Sequence, residues 1–149
     1  MRNKEYLNTK GSLEIILKKA NGSVSLTRKD NLILNVGFDF ICNAIGMGAG
    51  RPSAMSHIAV GTGGEEVVAT QNSLVTELAR KAATYTHATG TKVMIFTAYF
   101  GAGEATGSIK EAGVCNAATA GIFIDRVAFA EINKAIDDEL TVNFTFTLS

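Results

Sequence analysis

Leu140-Thr141-Val142-Asn143-Phe144-Thr145-Phe146-Thr147-Leu148 alternates apolar and polar side chains without a break. A period of two puts one set on each face of an extended chain, so this stretch is a β-strand with one greasy and one wet face. Lys92–Phe100 is a second strand. There Met94, Phe96, Ala98 and Phe100 alternate, while Val93, Ile95 and Tyr99 make the opposite face apolar too. Such a strand is central in its sheet, or is covered by a second layer or a neighbouring subunit.

The same pattern extends toward the N-terminus. Leu13–Lys18 and Val24–Thr27 flank Ala20-Asn21-Gly22-Ser23, and Asn-Gly between apolar runs marks a hairpin. His57–Val60, the latter half of Leu74–Ala88, Ile109–Cys115 and Ile122–Ala130 read as further strands, and a helical turn suits Leu74–Leu78. One helix interrupts them, from Val36 to about Ile45, capped by Asn35 and stopped by Gly46-Met47-Gly48-Ala49-Gly50. Its inward face is expected to be Phe38, Ile41, Cys42 and Ile45, which recur at helical spacing. The sum is a mainly β chain, an antiparallel β-sandwich or open barrel with one short α-helix near residues 36–45. Residues 12–149 form a single domain, and residues 1–11 a polar, basic N-terminal arm that gains order against a partner.

The chain has 149 residues, 14 Lys and Arg against 14 Asp and Glu, and hence no formal net charge. That balance argues against nucleic acid and against an anionic membrane surface as partners. No apolar run approaches the ~18 residues of a membrane span, and Met1–Tyr6 has no apolar stretch behind it to make a signal peptide. Charged residues are 19% of the chain, below the ~25% of an ordinary soluble domain. Interface cores are depleted in charge, so the shortfall points to surface that partners cover. Cys42 and Cys115 stand far apart without a C-x-x-C pair, and both read as buried thiols.

Ser56-His57-Ile58-Ala59-Val60-Gly61-Thr62-Gly63-Gly64 has the outline of a phosphate-binding loop, an apolar strand running into glycines. Glu65-Glu66 and Val67-Val68 follow where such a loop needs a Lys, a Ser or Thr, and a helix N-terminus. The glycines therefore read as a tight corner that uses positive φ. His57 and His87 are the only histidines, each within a strand. Glu65-Glu66 and Asp137-Asp138 are adjacent pairs whose side chains diverge on an extended chain. No constellation of nucleophile, base or metal ligands assembles, so no catalytic residue, cofactor or metal is expected.

Taken in order, Asn31-Leu32-Ile33-Leu34-Asn35-Val36-Gly37, His57–Gly63, Glu77-Leu78-Ala79-Arg80, Phe100-Gly101-Ala102-Gly103-Glu104-Ala105 and Ile109–Asn116 resemble a family of tailed-bacteriophage virion proteins. Val114-Cys115 stands where that family commonly has Leu-Phe, and Gly64-Glu65-Glu66 replaces its threonine/proline loop. The resemblance implies a structural role with no catalytic residues to carry over. Receptor-reading fibres carry a further distal domain, and here the final strand closes the sequence. The expected function is therefore a capsid decoration (cement) protein, a homotrimer bound to the major capsid protein or another virion protein, in a virion assembled in the host cytoplasm. The alternative is a tail, neck or baseplate adaptor connecting a fibre, and the third reading a small ligand- or glycan-binding β module. The expected contact residues are Arg2, Lys4, Tyr6 and Lys10 of the arm, with Val93, Ile95 and Tyr99 of the doubly apolar strand.

Overall fold

The computed structural model describes residues 5–149, so Arg2 and Lys4 lie outside the described residues. Its strands are β1 (Thr9–Lys18), β2 (Val24–Asp30), β3 (Leu32–Ile33), β4 (His57–Gly61), β5 (Glu77–Ala82), β6 (Thr84–Thr86), β7 (Val93–Phe100), β8 (Gly107–Cys115), β9 (Asp125–Lys134) and β10 (Glu139–Leu148). One helix, α1, spans Asn35–Gly46. They form two antiparallel five-stranded sheets, sheet 1 in the order β2-β1-β10-β7-β6 and sheet 2 in the order β3-β9-β8-β4-β5. The architecture is a sandwich. The chain bends from sheet 1 into sheet 2 at Asn31, and back again at Ala83, so an edge strand of each sheet continues into an edge strand of the other.

The alternation at the end of the sequence becomes β10, third of five in sheet 1. Leu140, Val142, Phe144 and Phe146 are fully buried, and with Leu13, Ile15, Phe96 and Phe100 they meet Ile58, Val60, Val114 and Val127 of sheet 2. A second, smaller cluster (Leu34, Ala59, Leu74, Cys115, Phe123) lies on the outer side of sheet 2, beneath connecting segments. Sheet 2 is therefore covered on both faces, whereas the outer face of sheet 1 is open.

Several sequence expectations change. Thr9, Lys10 and Gly11 belong to β1 rather than to an arm, because each pairs with β10, and Asn8 and Ser149 exchange backbone hydrogen bonds just beyond. Leu74–Leu78 forms no helical turn, since the N–H groups of Val75 and Thr76 donate to the carboxylate of Glu111 instead of to backbone carbonyls. The helix is present, but Leu34 occupies its cap position and no side chain caps it. Its faces are also rotated from expectation: Phe38, Cys42 and Ile45 face solvent, and Ile41 is half-buried. The reason is Gly37. A Cβ there would lie 2.2 Å from the backbone carbonyl oxygen of Ile124, so the helix rests on the sandwich at its smallest residue. Of the two thiols, only Cys115 is buried.

Candidate functional site

The glycine-rich turn after β4 encloses a buried carboxylate. Glu111 of β8 and Arg126 of β9 are both fully buried, with Arg126 Nε donating to Glu111 Oε2 at 2.7 Å. The backbone N–H groups of Gly63 and Thr76 donate to Glu111 Oε1, at 3.0 and 2.7 Å, and that of Val75 donates to Oε2 at 2.9 Å. Each carboxylate oxygen thus accepts two hydrogen bonds. Arg126 also donates to the Glu65 and Gly63 carbonyls and to Gln71 Oε1. An unpartnered buried charge is costly, and here the carboxylate accepts four hydrogen bonds and the guanidinium donates four.

The glycines serve this cage. Gly61, Gly63 and Gly64 do not have the positive φ expected of a tight corner. They permit close approach instead: a Cβ on Gly61 would sit 2.3 Å from the Thr76 carbonyl oxygen, and one on Gly63 2.7 Å from Glu111 Oε1. The loop wraps a carboxylate that the protein supplies, so it has no anion vacancy to offer a phosphate.

A second buried cluster lies at the corner between β2 and β3. Asn31 Nδ2 donates to Asp125 Oδ2 and the Val114 N–H donates to Asp125 Oδ1, while Gly11 leaves room for the Asn31 side chain. Asn31 Oδ1 is buried without a partner. Burial pushes the Asp125 carboxyl up to about 7, against the opposing pull of these hydrogen bonds. Glu77 and Arg80 form a bidentate pair, and its hydrogen bonds raise the Arg80 pKa. Arg80 Nη1 then donates to the Ala117 and Ala120 carbonyls, fixing a loop in which Ala120 takes φ 55°. Glu104 is held by Lys81 and by the Gly101 N–H, and both bonds draw its pKa below the usual carboxylate value.

The polar atoms of these groups bond chiefly to one another, and Glu77 and Arg80 also line a hollow of about 660 Å³ with Asn72, Ser73 and Thr119. Ser56 Oγ lies 2.8 Å from His57 Nδ1, and His87 Nδ1 lies 2.7 Å from the Val93 carbonyl oxygen, with no carboxylate among the described residues bonded to either ring. Among the described residues no group of three or more His, Cys, Asp or Glu side chains could hold a metal ion.

The residues expected to make contacts separate. Lys10, Val93, Ile95 and Tyr99 share the open outer face of sheet 1, where the register aligns Lys10, Thr147 and Val93 across three strands. Tyr99 is exposed, and its hydroxyl donates to Glu139, which raises its pKa. Beside Ile95 is a hollow of about 920 Å³ lined by Ser12, Glu14, Arg28, Thr86, Thr97, Asn143 and Thr145. Tyr6 is exposed in the segment that precedes β1. The neighbouring Leu7 borders a different feature, an apolar groove of about 530 Å³ along α1, lined by Ile41, Ile45, Pro52, Met55, Tyr85 and Met94 among others.

No family model, no curated protein and no solved structure matches the chain. The residues that sequence reasoning missed are Glu111, Arg126, Asp125 and Asn31. A signal existed for the first two: opposite charges set into the apolar stretches Ile109–Cys115 and Ile122–Ala130.

Proposed function

We propose that the chain is a structural protein of a tailed-bacteriophage virion, bound to the capsid lattice as a decoration protein. The observation that carries this reading is where the family-like segments end up. Asn31, Gly61 and Gly63, Glu77 with Arg80, Glu104, and Glu111 with Asn116 all make internal bonds that hold loops to the sandwich. Glu77 and Arg80 also border a hollow of about 660 Å³, but their charged atoms are bonded to each other. Apolar side chains meanwhile stand exposed, among them Tyr6, Leu7, Phe38, Ile45 and Tyr85. Apolar surface of this kind gains roughly 25 cal/mol per Å² when a partner covers it, before ordering costs are subtracted. A rigid module with an apolar exterior suits attachment, whether to capsid subunits or to a tail component.

Gold-labelled antibody on intact virions tests the reading. Label spread over the head in many copies is the expected result. Label confined to a few copies at the tail would replace it with the adaptor, and unlabelled virions would end both. The hollow on sheet 1, lined by hydroxyls, the Asn143 amide and the charged Glu14, Arg28, Lys29 and Asp30, favours a second reading, a small glycan-binding module. Titration calorimetry with host glycans that releases no heat would remove it.

A further inference from the structure

Asn21 is the only asparagine of the sequence that glycine follows, and the fold sets this pair at the tip of the β1–β2 hairpin. Asn21, Gly22 and Ser23 are all exposed, and a Cβ on Gly22 would meet nothing within 4 Å. Two backbone bonds close the turn. The Lys19 N–H donates to the Ser23 carbonyl at 2.9 Å, and the Gly22 N–H to the Lys19 carbonyl at 2.8 Å. Gly22 takes φ +88°, which a residue with a side chain enters only under strain. Within the turn Ser23 grips the Asn21 side chain: Asn21 Oδ1 accepts from the Ser23 N–H at 2.9 Å and from Ser23 Oγ at 2.7 Å.

Two donors that converge on one carbonyl oxygen at these distances stabilise negative charge developing there. The next nitrogen along the chain belongs to a residue without a side chain, so no bulk hinders its closing a five-membered ring on Asn21 Cγ. We propose that Asn21 is a site of self-modification, an intramolecular deamidation in which Ser23 polarises the amide. The Gly22 N–H gives its proton to hydroxide, and the nitrogen bonds to Cγ while charge collects on Oδ1 between the two Ser23 donors. The Cγ–Nδ2 bond then breaks, and Nδ2 leaves as ammonia with a proton taken from water, which regenerates hydroxide. Water finally opens either carbonyl of the cyclic imide, leaving aspartate or an isoaspartyl residue. The Gly22–Lys19 bond gates the first step, since it must open before the amide loses its proton, and an exposed hairpin tip opens at little cost. The change has a structural consequence. The Ala20 N–H donates to Asp138 Oδ1 at 3.2 Å and ties the hairpin to the β9–β10 turn. A new carboxylate beside that bond, or the longer isoaspartyl backbone, weakens the tie. The reaction needs only water, so it is independent of where the protein sits in a virion.

Incubation of the full chain at mildly alkaline pH, read by peptide mass spectrometry and isoaspartyl-specific methylation, tests it. The expected result is conversion at Asn21 ahead of the exposed Asn43 and Asn72, at a rate that rises with pH. Ser23→Ala removes one of the two donors and slows conversion several-fold in the folded chain. In urea, where the hairpin is gone, the variant and the wild type convert at the same rate. Ser23 is exposed, and circular dichroism checks that the variant keeps the wild-type fold. An Asn21 that stays an amide overturns the proposal, and so does a folded Ser23→Ala chain that converts as fast as wild type. A rate difference that persists in urea would also overturn it, because the effect would then belong to the local sequence and not to the hairpin.

Discussion

The cage around Glu111 and the exposed face of α1 invert the usual arrangement of a small domain. In the cage, a carboxylate and a guanidinium are fully buried and every carboxylate lone pair is used. On α1, a phenylalanine and an isoleucine stand in solvent beside an apolar groove. The difference separates residues whose bonds are complete within the chain from apolar residues that stand in solvent. A buried polar network fixes loop geometry because each member constrains the others. An exposed apolar face contributes almost nothing until something covers it.

The sharpest way to break the comparison is to remove the caged acid. Glu111→Ala leaves three backbone N–H groups and the buried Arg126 without their acceptor, and is expected to cost about 3–5 kcal/mol in urea denaturation. A loss under about 1 kcal/mol would mean that the cage is not a major determinant of stability. Next comes the other buried carboxyl. Folded, Asp125 holds its proton up to about pH 7, whereas in the unfolded chain it releases it near 3.8. Between these values the folded state binds more protons, so the contribution of Asp125 is complete at acid pH and is lost as pH rises to about 7. Asp125→Asn should remove this slope, which is at most about 1.4 kcal/mol per pH unit, from the wild-type stability profile. Parallel profiles for the two proteins would sink the assignment.

Smaller effects separate the glycines. Gly63→Ala pushes a Cβ against Glu111 and is expected to cost about 1–3 kcal/mol. At Gly64 the nearest obstacle is the flexible Lys110 side chain at 3.3 Å, so Gly64→Ala should cost under about 0.5 kcal/mol. Equal losses in thermal melts would contradict the close-approach account of the turn. Smallest of all is Ile45→Ser on α1, expected to shift stability by under about 0.5 kcal/mol at concentrations that keep chains apart.

What was legible in the sequence follows from the range of the interactions. The alternation in β10 survives intact because that strand has one inner and one outer face and no bulge. The existence of α1 was legible for the same local reason. Its orientation was not, because Gly37 has no side chain to advertise a contact and the carbonyl it meets belongs to Ile124, far along the chain. The glycine turn was recognisable as structural, yet its purpose depended on Glu111, 48 residues beyond Gly63. No local pattern connects the two. The exposed apolar surfaces were the hardest to find, since such residues in a helix look like core positions until the backbone shows which side is covered.

The place of β10 in sheet 1 governs how the protein is made. It pairs with β1 on one side and β7 on the other, so it joins the earliest and a later hairpin of the chain into one sheet. Ribosomes deliver it after the other nine strands of the two sheets. Until residues 139–148 emerge, β1 and β7 each present an unpaired edge, and the apolar faces they share have no central strand to lie against. Closure of sheet 1 is therefore a late event built on contacts of great sequence separation, a class that forms slowly. A chain interrupted before Glu139 exposes two sticky edges at once, which makes truncated products prone to aggregate rather than to assemble.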